Sequence, residues 1–161
     1  MPQLLSSKNL LLSSRPLTVG VISEAKVLRE FAAKPASERL SACDLVEIRL
    51  DLLDNGLDET RQLAQALELP LLFTARHPAE GGKGPEDHPA RAAMLASVLD
   101  IAALIDVELQ SAPHMSDLLQ QARVGGVGVV GSFHDFQATP PDDTLTGARD
   151  FAQTLGLDAV K

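Results

Sequence analysis

The sequence predicts an α/β fold, a (β/α)8 TIM barrel of which this chain supplies about the first six β/α units. Short aliphatic runs alternate with segments of helical composition, a pattern typical of parallel strands joined by crossover helices. The last polar residue of each run recurs at intervals of 26 to 32 residues along the 161-residue chain. A complete barrel has eight units over ~250 residues, or roughly 30 residues a unit. The spacing therefore favours a barrel over an open sheet, and we expect two further units after Lys161.

Six runs rich in branched aliphatic residues are predicted to be strands. They are Leu17–Ser23, Leu45–Leu50, Leu69–Ala75, Leu104–Leu109, Val127–Phe133 and Leu157–Lys161. The clearest helical segments between them are Asp58–Leu67, Ala90–Leu99, Met115–Ala122 and Asp142–Leu155. The last of these begins with an acidic turn and stops at Gly156, as helices commonly do. The first connection is irregular, because Pro35 interrupts its pattern. We expect residues 17–161 to form the partial barrel domain and residues 1–16 to form an N-terminal lead-in.

Polar residues recur in phase along the predicted strands. Side chains alternate between the two faces of a strand, so Glu47 and Arg49 share one face while Val46 and Ile48 share the other. Later strands repeat the polar pair, as Thr74 with Arg76, Asp106 with Glu108, and Ser132 with His134. In a single strand such residues would only mark its exit into solvent. Several strands in phase favour an active site where the strands end, since unpaired buried charges are costly.

The composition argues against several classes of function. The net charge of −8 disfavours nonspecific nucleic-acid binding, and five Phe without Trp or Tyr give no platform for base stacking. The single cysteine, Cys43, has no partner for an internal disulfide and is predicted to be a buried apolar residue. The four histidines lack helical metal-ligand spacing, so we predict no metal site. We also predict no membrane span and a cytoplasmic location.

A glycine motif between residues 126 and 131 has the spacing GxGxxG, which in dinucleotide-binding folds follows a strand and opens a helix. Here the motif lies inside the aliphatic run, and a proline pair follows shortly after it. Glycines within a strand more often mark close packing. We therefore predict no nucleotide cofactor.

The polar residues predicted to meet at the strand ends suit imine chemistry on a small oxo-acid. They are Ser23, Glu47, Arg49, Arg76, Glu80, His134 and Lys161. We expect the Lys161 amine to lie near fixed cations, which disfavour ammonium and leave a neutral amine to attack a carbonyl. Arginine grips carboxylates, and histidine can take up and return a proton near neutral pH. These groups alone are consistent with a Schiff-base aldolase, dehydratase or isomerase, and a non-catalytic partial barrel that binds a small acid is a further hypothesis.

Five motifs, in order, resemble the type I 3-dehydroquinate dehydratases of the shikimate pathway. The second strand, Val46–Asp51, resembles the family's Glu-x-Arg-x-Asp signature. Similar matches are Phe73–Arg76 with Glu80–Gly82, Ile105–Glu108, Ser132–Phe136 and Asp158–Lys161. The resemblance extends from about residue 17 to residue 161 and implies a lyase that converts 3-dehydroquinate to 3-dehydroshikimate. It implies no metal or organic cofactor and suggests a homodimer.

The resemblance also implies a role for each site residue. Lys161 would form a Schiff base with the ketone, and His134 would act as general acid and base. Glu80 would orient His134. The remaining four residues would bind the substrate, and they are Ser23, Glu47, Arg49 and Arg76.

Two features depart from the family's pattern. His77 stands where a small or basic residue is expected, and it is interpreted as a solvated loop residue or an additional substrate contact. The family's seventh and eighth strands, with the arginine for the substrate carboxylate and the serine and glutamine of a closing loop, would follow Lys161. A chain that stopped at this lysine is expected to be inactive or unstable.

Overall fold

The structure is a computed structural model that describes residues 10–161. Its six strands are β1 (Val19–Ile22), β2 (Leu45–Arg49), β3 (Leu71–Thr74), β4 (Leu104–Glu108), β5 (Gly128–Ser132) and β6 (Ala159–Val160). The helices that lie wholly within these residues are α1 (Ala25–Ala32), α2 (Ala36–Ala42), α3 (Leu57–Ala66), α4 (His88–Ala96), α5 (Ser116–Gly125) and α6 (Asp142–Thr154). Two short 3-10 helices cover Pro78–Glu80 and Ala112–Met115. Most of the predicted lead-in, residues 1–9, lies outside the described part.

All six strands form one parallel sheet in which each strand pairs with the next one along the chain, in the order β1-β2-β3-β4-β5-β6. This order, with a helical crossover between successive strands, confirms the predicted α/β architecture of six units. Because the strands are parallel, their carboxyl ends lie along the same side of the sheet. We call this side the carboxyl edge.

The two faces of the sheet differ as the strand alternation predicted. Val46, Ile48 and Phe73 are fully buried in the main core, which fills the space between the sheet and the helices. The opposite face carries Glu47 and its polar counterparts near the carboxyl edge. Below them lies a small apolar cluster that the sequence analysis did not foresee, formed by Leu10, Leu45, Leu72, Leu104 and Val130.

The irregular first connection consists of two helices rather than one. Pro35 is the residue before α2, with φ −55° and ψ 145°, and its extended conformation separates α1 from α2. The later helices were located correctly, with ends that differ from the prediction by at most three residues. The predicted stop at Gly156 is confirmed, since this glycine has φ 67° and follows Leu155, the residue that caps α6.

The glycine motif lies within and just before β5, which confirms that it does not open a helix. Gly126 ends α5 with φ 72°. Gly131 lies inside the strand, where an added Cβ would come within 2.7 Å of the Leu109 and Leu157 side chains. Close packing therefore explains this glycine.

Within residues 10–161, no helix has both the length and the apolar character needed to cross a bilayer. The same residues contain no cluster of three or more His, Cys, Asp or Glu side chains arranged to hold a metal ion. Cys43 is buried, as predicted, with 7% of its surface exposed.

Candidate active site

The seven predicted site residues all lie at the carboxyl edge. Glu47 and Arg49 belong to β2, while Ser23, Arg76, His134 and Lys161 follow the ends of their strands. Glu80 lies in the 3-10 turn after β3. The parallel order of the strands is what brings residues so distant in sequence to one side of the sheet.

The Lys161 amine points into the polar face of the sheet. Its Nζ lies 3.2 Å from Asp106 Oδ2 and 3.5 Å from Glu47 Oε1. The backbone of Lys161 is held against β5, because its N–H donates to the Gly131 carbonyl at 2.9 Å and its own carbonyl accepts from the Phe133 N–H at 3.0 Å. The amine was expected to lie near fixed cations. Arg76 does contact the same Asp106 oxygen at 2.9 Å, but the direct ion-pair partners of the amine are two carboxylates, which were not expected.

His134 and Glu80 form a pair in the loops above the sheet. His134 Nδ1 lies 2.9 Å from Glu80 Oε2, and Glu80 is buried with only 5% of its surface exposed. The Gln110 side chain donates to the other carboxylate oxygen at 3.3 Å. A carboxylate at Nδ1 fixes the orientation of an imidazole and leaves Nε2 for proton transfer.

The loop that carries Glu80 folds tightly back on the end of β3. The N–H of Gly82 donates to the His77 carbonyl at 3.0 Å, and the N–H of Gly84 donates to the Arg76 carbonyl at 3.1 Å. Gly81 has φ 79°, a left-handed conformation that favours glycine, and an added Cβ there would meet the Phe136 ring at 2.8 Å. Phe136 in turn lies parallel to the His134 ring, with centroids 6.1 Å apart. Gly81 thus allows the loop that carries Glu80 to pack against the loop that carries Phe136, beside the His134 ring.

Arg76 is buried in a network of carboxylates. Its guanidinium lies 2.9 Å from Asp106 Oδ2 and 3.2 Å from Glu108 Oε1, and it also donates to the Ser132 hydroxyl. The Ser132 hydroxyl donates to Asp106 Oδ1 at 2.6 Å. Burial acts to lower the pKa of the Arg76 guanidinium, but the Asp106 and Glu108 carboxylates outweigh it and raise this pKa, so the side chain stays charged.

Asp106, Glu108 and Ser132 belong to the site but were absent from the predicted set. The sequence analysis recognised them as polar strand residues in phase with the others. Parity alone does not distinguish a residue that meets substrate from one that supports it, and these three residues were therefore missed.

The other predicted substrate-binding residues lie beside this network. The Glu47 carboxylate accepts a hydrogen bond from the Thr74 hydroxyl at 2.7 Å. Arg49 forms a two-pronged pair with Asp51 at 2.9 and 2.8 Å, which raises the pKa of the guanidinium. Ser23 is half-buried, and within residues 10–161 its hydroxyl makes no hydrogen bond to the other six predicted residues.

His77 connects the loop to the network through its backbone. Its N–H donates to Glu108 Oε1 at 2.8 Å, and its Nδ1 accepts from the Ala79 N–H at 2.9 Å. The ring also lies 6.2 Å from that of His88, which stacks on His114. His77 therefore caps its own turn, which neither interpretation from the sequence anticipated.

Comparisons with known proteins point to one family. A profile described as "Type I 3-dehydroquinase" matches residues 27–161. A 3-dehydroquinate dehydratase of Desulfotalea psychrophila is 35% identical over 131 residues, which cover 80% of this chain and 57% of that protein. The bifunctional 3-dehydroquinate dehydratase/shikimate dehydrogenase of Arabidopsis thaliana is 37% identical over 121 residues, which cover 73% of this chain and 20% of that protein. The chain thus spans less than two thirds of the length of both relatives.

The fold is also similar to that of a protein of known structure. A solved structure of 3-dehydroquinate dehydratase from Enterococcus faecalis superposes with a TM-score of 0.79 at 25% identity, over 98% of this chain and 69% of that one. The six units described above therefore correspond to about two thirds of a barrel of this type.

Proposed function

The chain belongs to the type I 3-dehydroquinase family, and we propose that it provides the catalytic lysine and histidine of an enzyme that dehydrates 3-dehydroquinate to 3-dehydroshikimate. The observation that carries the proposal is the presence of two chemical units at one carboxyl edge. One unit is an amine held by acids, and the other is an imidazole held by a buried carboxylate. Both units are needed for dehydration through an imine.

The proposed reaction begins with the Lys161 amine and the substrate ketone, which condense to an imine with loss of water. His134 Nε2 removes the proton from C2, and the electron pair left behind is delocalised into the imine nitrogen. The hydroxyl beta to the imine then departs with a proton returned by His134, as a second water. Hydrolysis of the imine consumes one water and releases 3-dehydroshikimate and free Lys161, so one water is lost overall.

Supporting roles follow from the contacts of the remaining residues. Glu80 holds His134 in one orientation through Nδ1, so that Nε2 faces the substrate. Glu47 and Arg49 face the space above the sheet and are assigned to the ring hydroxyls, together with Ser23. Arg76 is also assigned to substrate binding. The same guanidinium neutralises two buried carboxylates.

The experiment that tests this function is reductive trapping. Borohydride added with 3-dehydroquinate is expected to fix the ligand mass on Lys161, and Lys161→Ala is expected to remove the adduct. Lys26→Ala is the matched control, because the Lys26 side chain is 81% exposed and lies outside the site. Adduct on Lys26 but not on Lys161 would rule out the proposal.

A second arm separates binding from turnover. His134→Ala is expected to keep the adduct while it lowers the rise in enone absorbance at least about a hundredfold, as loss of a general acid-base group does. Aldol cleavage is assayed beside dehydration, and cleavage of sugar phosphates without dehydration would favour an aldolase instead. A cytoplasmic location and a homodimer also belong to the proposal, and sedimentation tests the dimer.

A further inference from the structure

Asp106 is the acidic group nearest the Lys161 amine, and its side chain has no solvent exposure. Its carboxylate accepts from the Ser132 hydroxyl at 2.6 Å on one oxygen. The other oxygen receives Arg76 at 2.9 Å and Lys161 at 3.2 Å. Asp106 is removed from water and is therefore stabilised by the cations paired with it, whereas the Lys161 side chain remains 43% exposed.

The ion pairs around Asp106 form one connected charge cluster. It contains three carboxylates and three cations, namely Glu47, Asp106, Glu108, Arg76, Arg91 and Lys161. Its formal charges cancel only while Lys161 carries a positive charge. Buried charges are tolerated when they are paired, so the cluster favours a cation at the lysine nitrogen.

Imine formation can preserve this balance. An ammonium and a ketone give a protonated imine and water, so one positive charge stands at the same nitrogen before and after the reaction. The protonated imine is also the stronger electron sink, because its nitrogen accepts the electron pair without becoming an anion. Acidic surroundings therefore suit the protonated intermediate that follows.

We propose that Asp106 is a further catalytic residue, which takes a proton from the Lys161 ammonium during attack on the carbonyl and keeps the resulting imine protonated. This inference rests on the proposed function. One ammonium proton passes to Asp106 Oδ2, which frees the nitrogen lone pair to form the bond to the carbonyl carbon. A second proton moves from the nitrogen to the former carbonyl oxygen and gives the carbinolamine. Asp106 then returns its proton to this hydroxyl as the carbon–oxygen bond breaks and water leaves, so the imine nitrogen keeps one proton and Asp106 ends the step as a carboxylate.

Glu47 is the weaker candidate for this role. It lies farther from the amine, at 3.5 Å, and it already accepts from the Thr74 hydroxyl at 2.7 Å. Its side chain is 9% exposed, whereas that of Asp106 is fully enclosed. Arg76, which contacts the same Asp106 oxygen as the amine, cannot accept a proton.

The test follows the protonation of the imine. Cyanoborohydride reduces a protonated imine and spares the neutral one, so the yield of adduct on Lys161 across the pH range reports this protonation. Two carbonyl probes are used separately, 3-dehydroquinate and glyoxylate. In Asp106→Asn the midpoint of the profile is expected to fall by about one pH unit or more, which means roughly tenfold less adduct on the alkaline side. Asp106→Glu, which retains the charge, is expected to recover most of the yield.

Internal controls separate this role from a structural one. Labelling of Lys26 by glyoxylate is expected to be the same in all variants, and urea unfolding reports any loss of stability. If Asp106→Asn does not fold, Ser132→Ala is used, since it removes a hydrogen bond that competes for the same carboxylate. Its midpoint is expected to rise, and a lower midpoint would contradict the proposal.

The two probes distinguish the two proposals. An adduct from glyoxylate alone, with a midpoint that depends on Asp106, would overturn the dehydratase function and support the role of Asp106. Adducts from both probes, with a midpoint that Asp106→Asn leaves unchanged, would overturn the role and leave the function standing. If neither probe labels Lys161, both proposals fail.

Discussion

Gly82→Ala is expected to destabilise the fold and to loosen the contact between Glu80 and His134. A Cβ at residue 82 would lie 2.1 Å from the Arg76 carbonyl oxygen and 2.4 Å from its carbonyl carbon. Ordinary contacts of this kind begin at 3.4 Å, and the obstacle is backbone that no rotamer change can move away. The turn would have to shift by about 1 Å or more, as overpacked sites do.

The size of the effect follows from what this shift would break. Overpacking alone typically costs about 1–3 kcal/mol. The N–H of Gly82 also donates to His77 and the N–H of Gly84 to Arg76, and each such bond contributes about 1 kcal/mol. We expect Gly82→Ala to lower the free energy of unfolding by about 3–5 kcal/mol. Because Glu80 lies in the same turn, the mutation is also expected to change the NMR signals of the His134 ring.

Urea unfolding, monitored by circular dichroism, measures the change in the free energy of unfolding. Gly147→Ala is the matched control, because this glycine lies inside α6 and an added Cβ would meet nothing within 4 Å. It is expected to raise stability by about 0.5–1 kcal/mol. A Gly82→Ala protein as stable as the wild type, with unchanged His134 signals, would refute the packing argument.

Three further outcomes are expected elsewhere in the fold. Burial raises the pKa of the Cys43 thiol, so iodoacetamide should alkylate it only after unfolding, and equally rapid native labelling by mass spectrometry would contradict this. Burial lowers the pKa of His88, and the nearby charge of Arg91 lowers it further. The unfolded chain therefore binds a proton at this residue at a higher pH than the folded chain does, and stability falls as the pH drops below about 6.5. His88→Gln should therefore reduce the difference in Tm between neutral and mildly acidic buffer, and an unchanged difference would argue against this linkage. Ile105→Ala should cost about 2–5 kcal/mol in urea unfolding, whereas Val124→Ala, on a residue that is 78% exposed, should change it by less than about 0.5 kcal/mol, and equal losses would contradict the core assignment.

The sequence was sufficient to predict the order of the elements and the edge where the site lies. Strand and helix alternate with a regular spacing, and the topology of parallel sheets allows few other arrangements. The apolar cluster on the polar face of the sheet also follows from the strand alternation. Leu45 lies two residues before Glu47, and Leu104 two residues before Asp106, so each pair shares a face.

The electrostatics of the lysine were not predictable in the same way. The analysis placed two arginines at the carboxyl edge and expected their charge to act on the amine. In the structure each guanidinium is paired with acids: Arg49 with Asp51, and Arg76 with Asp106 and Glu108. The ion-pair partner of each charged side chain depends on distances between strands. The alternation of residues along one strand does not predict those distances.

The pairing of the arginines changes what the lysine requires from its surroundings. A neutral amine can attack a ketone at once, but its unprotonated imine would be a poor electron sink for the later loss of the C2 proton. An amine held by Glu47 and Asp106 must first give up a proton, and it then forms an imine that the same carboxylates keep charged. The backbone of Lys161 is fixed from the β5 side alone within residues 10–161, so the direction of its long side chain depends on these two acids. Loss of the Asp106 charge should therefore affect both the position of the nitrogen and the protonation of the intermediate, whereas loss of Glu80 should affect only the transfer of protons by His134.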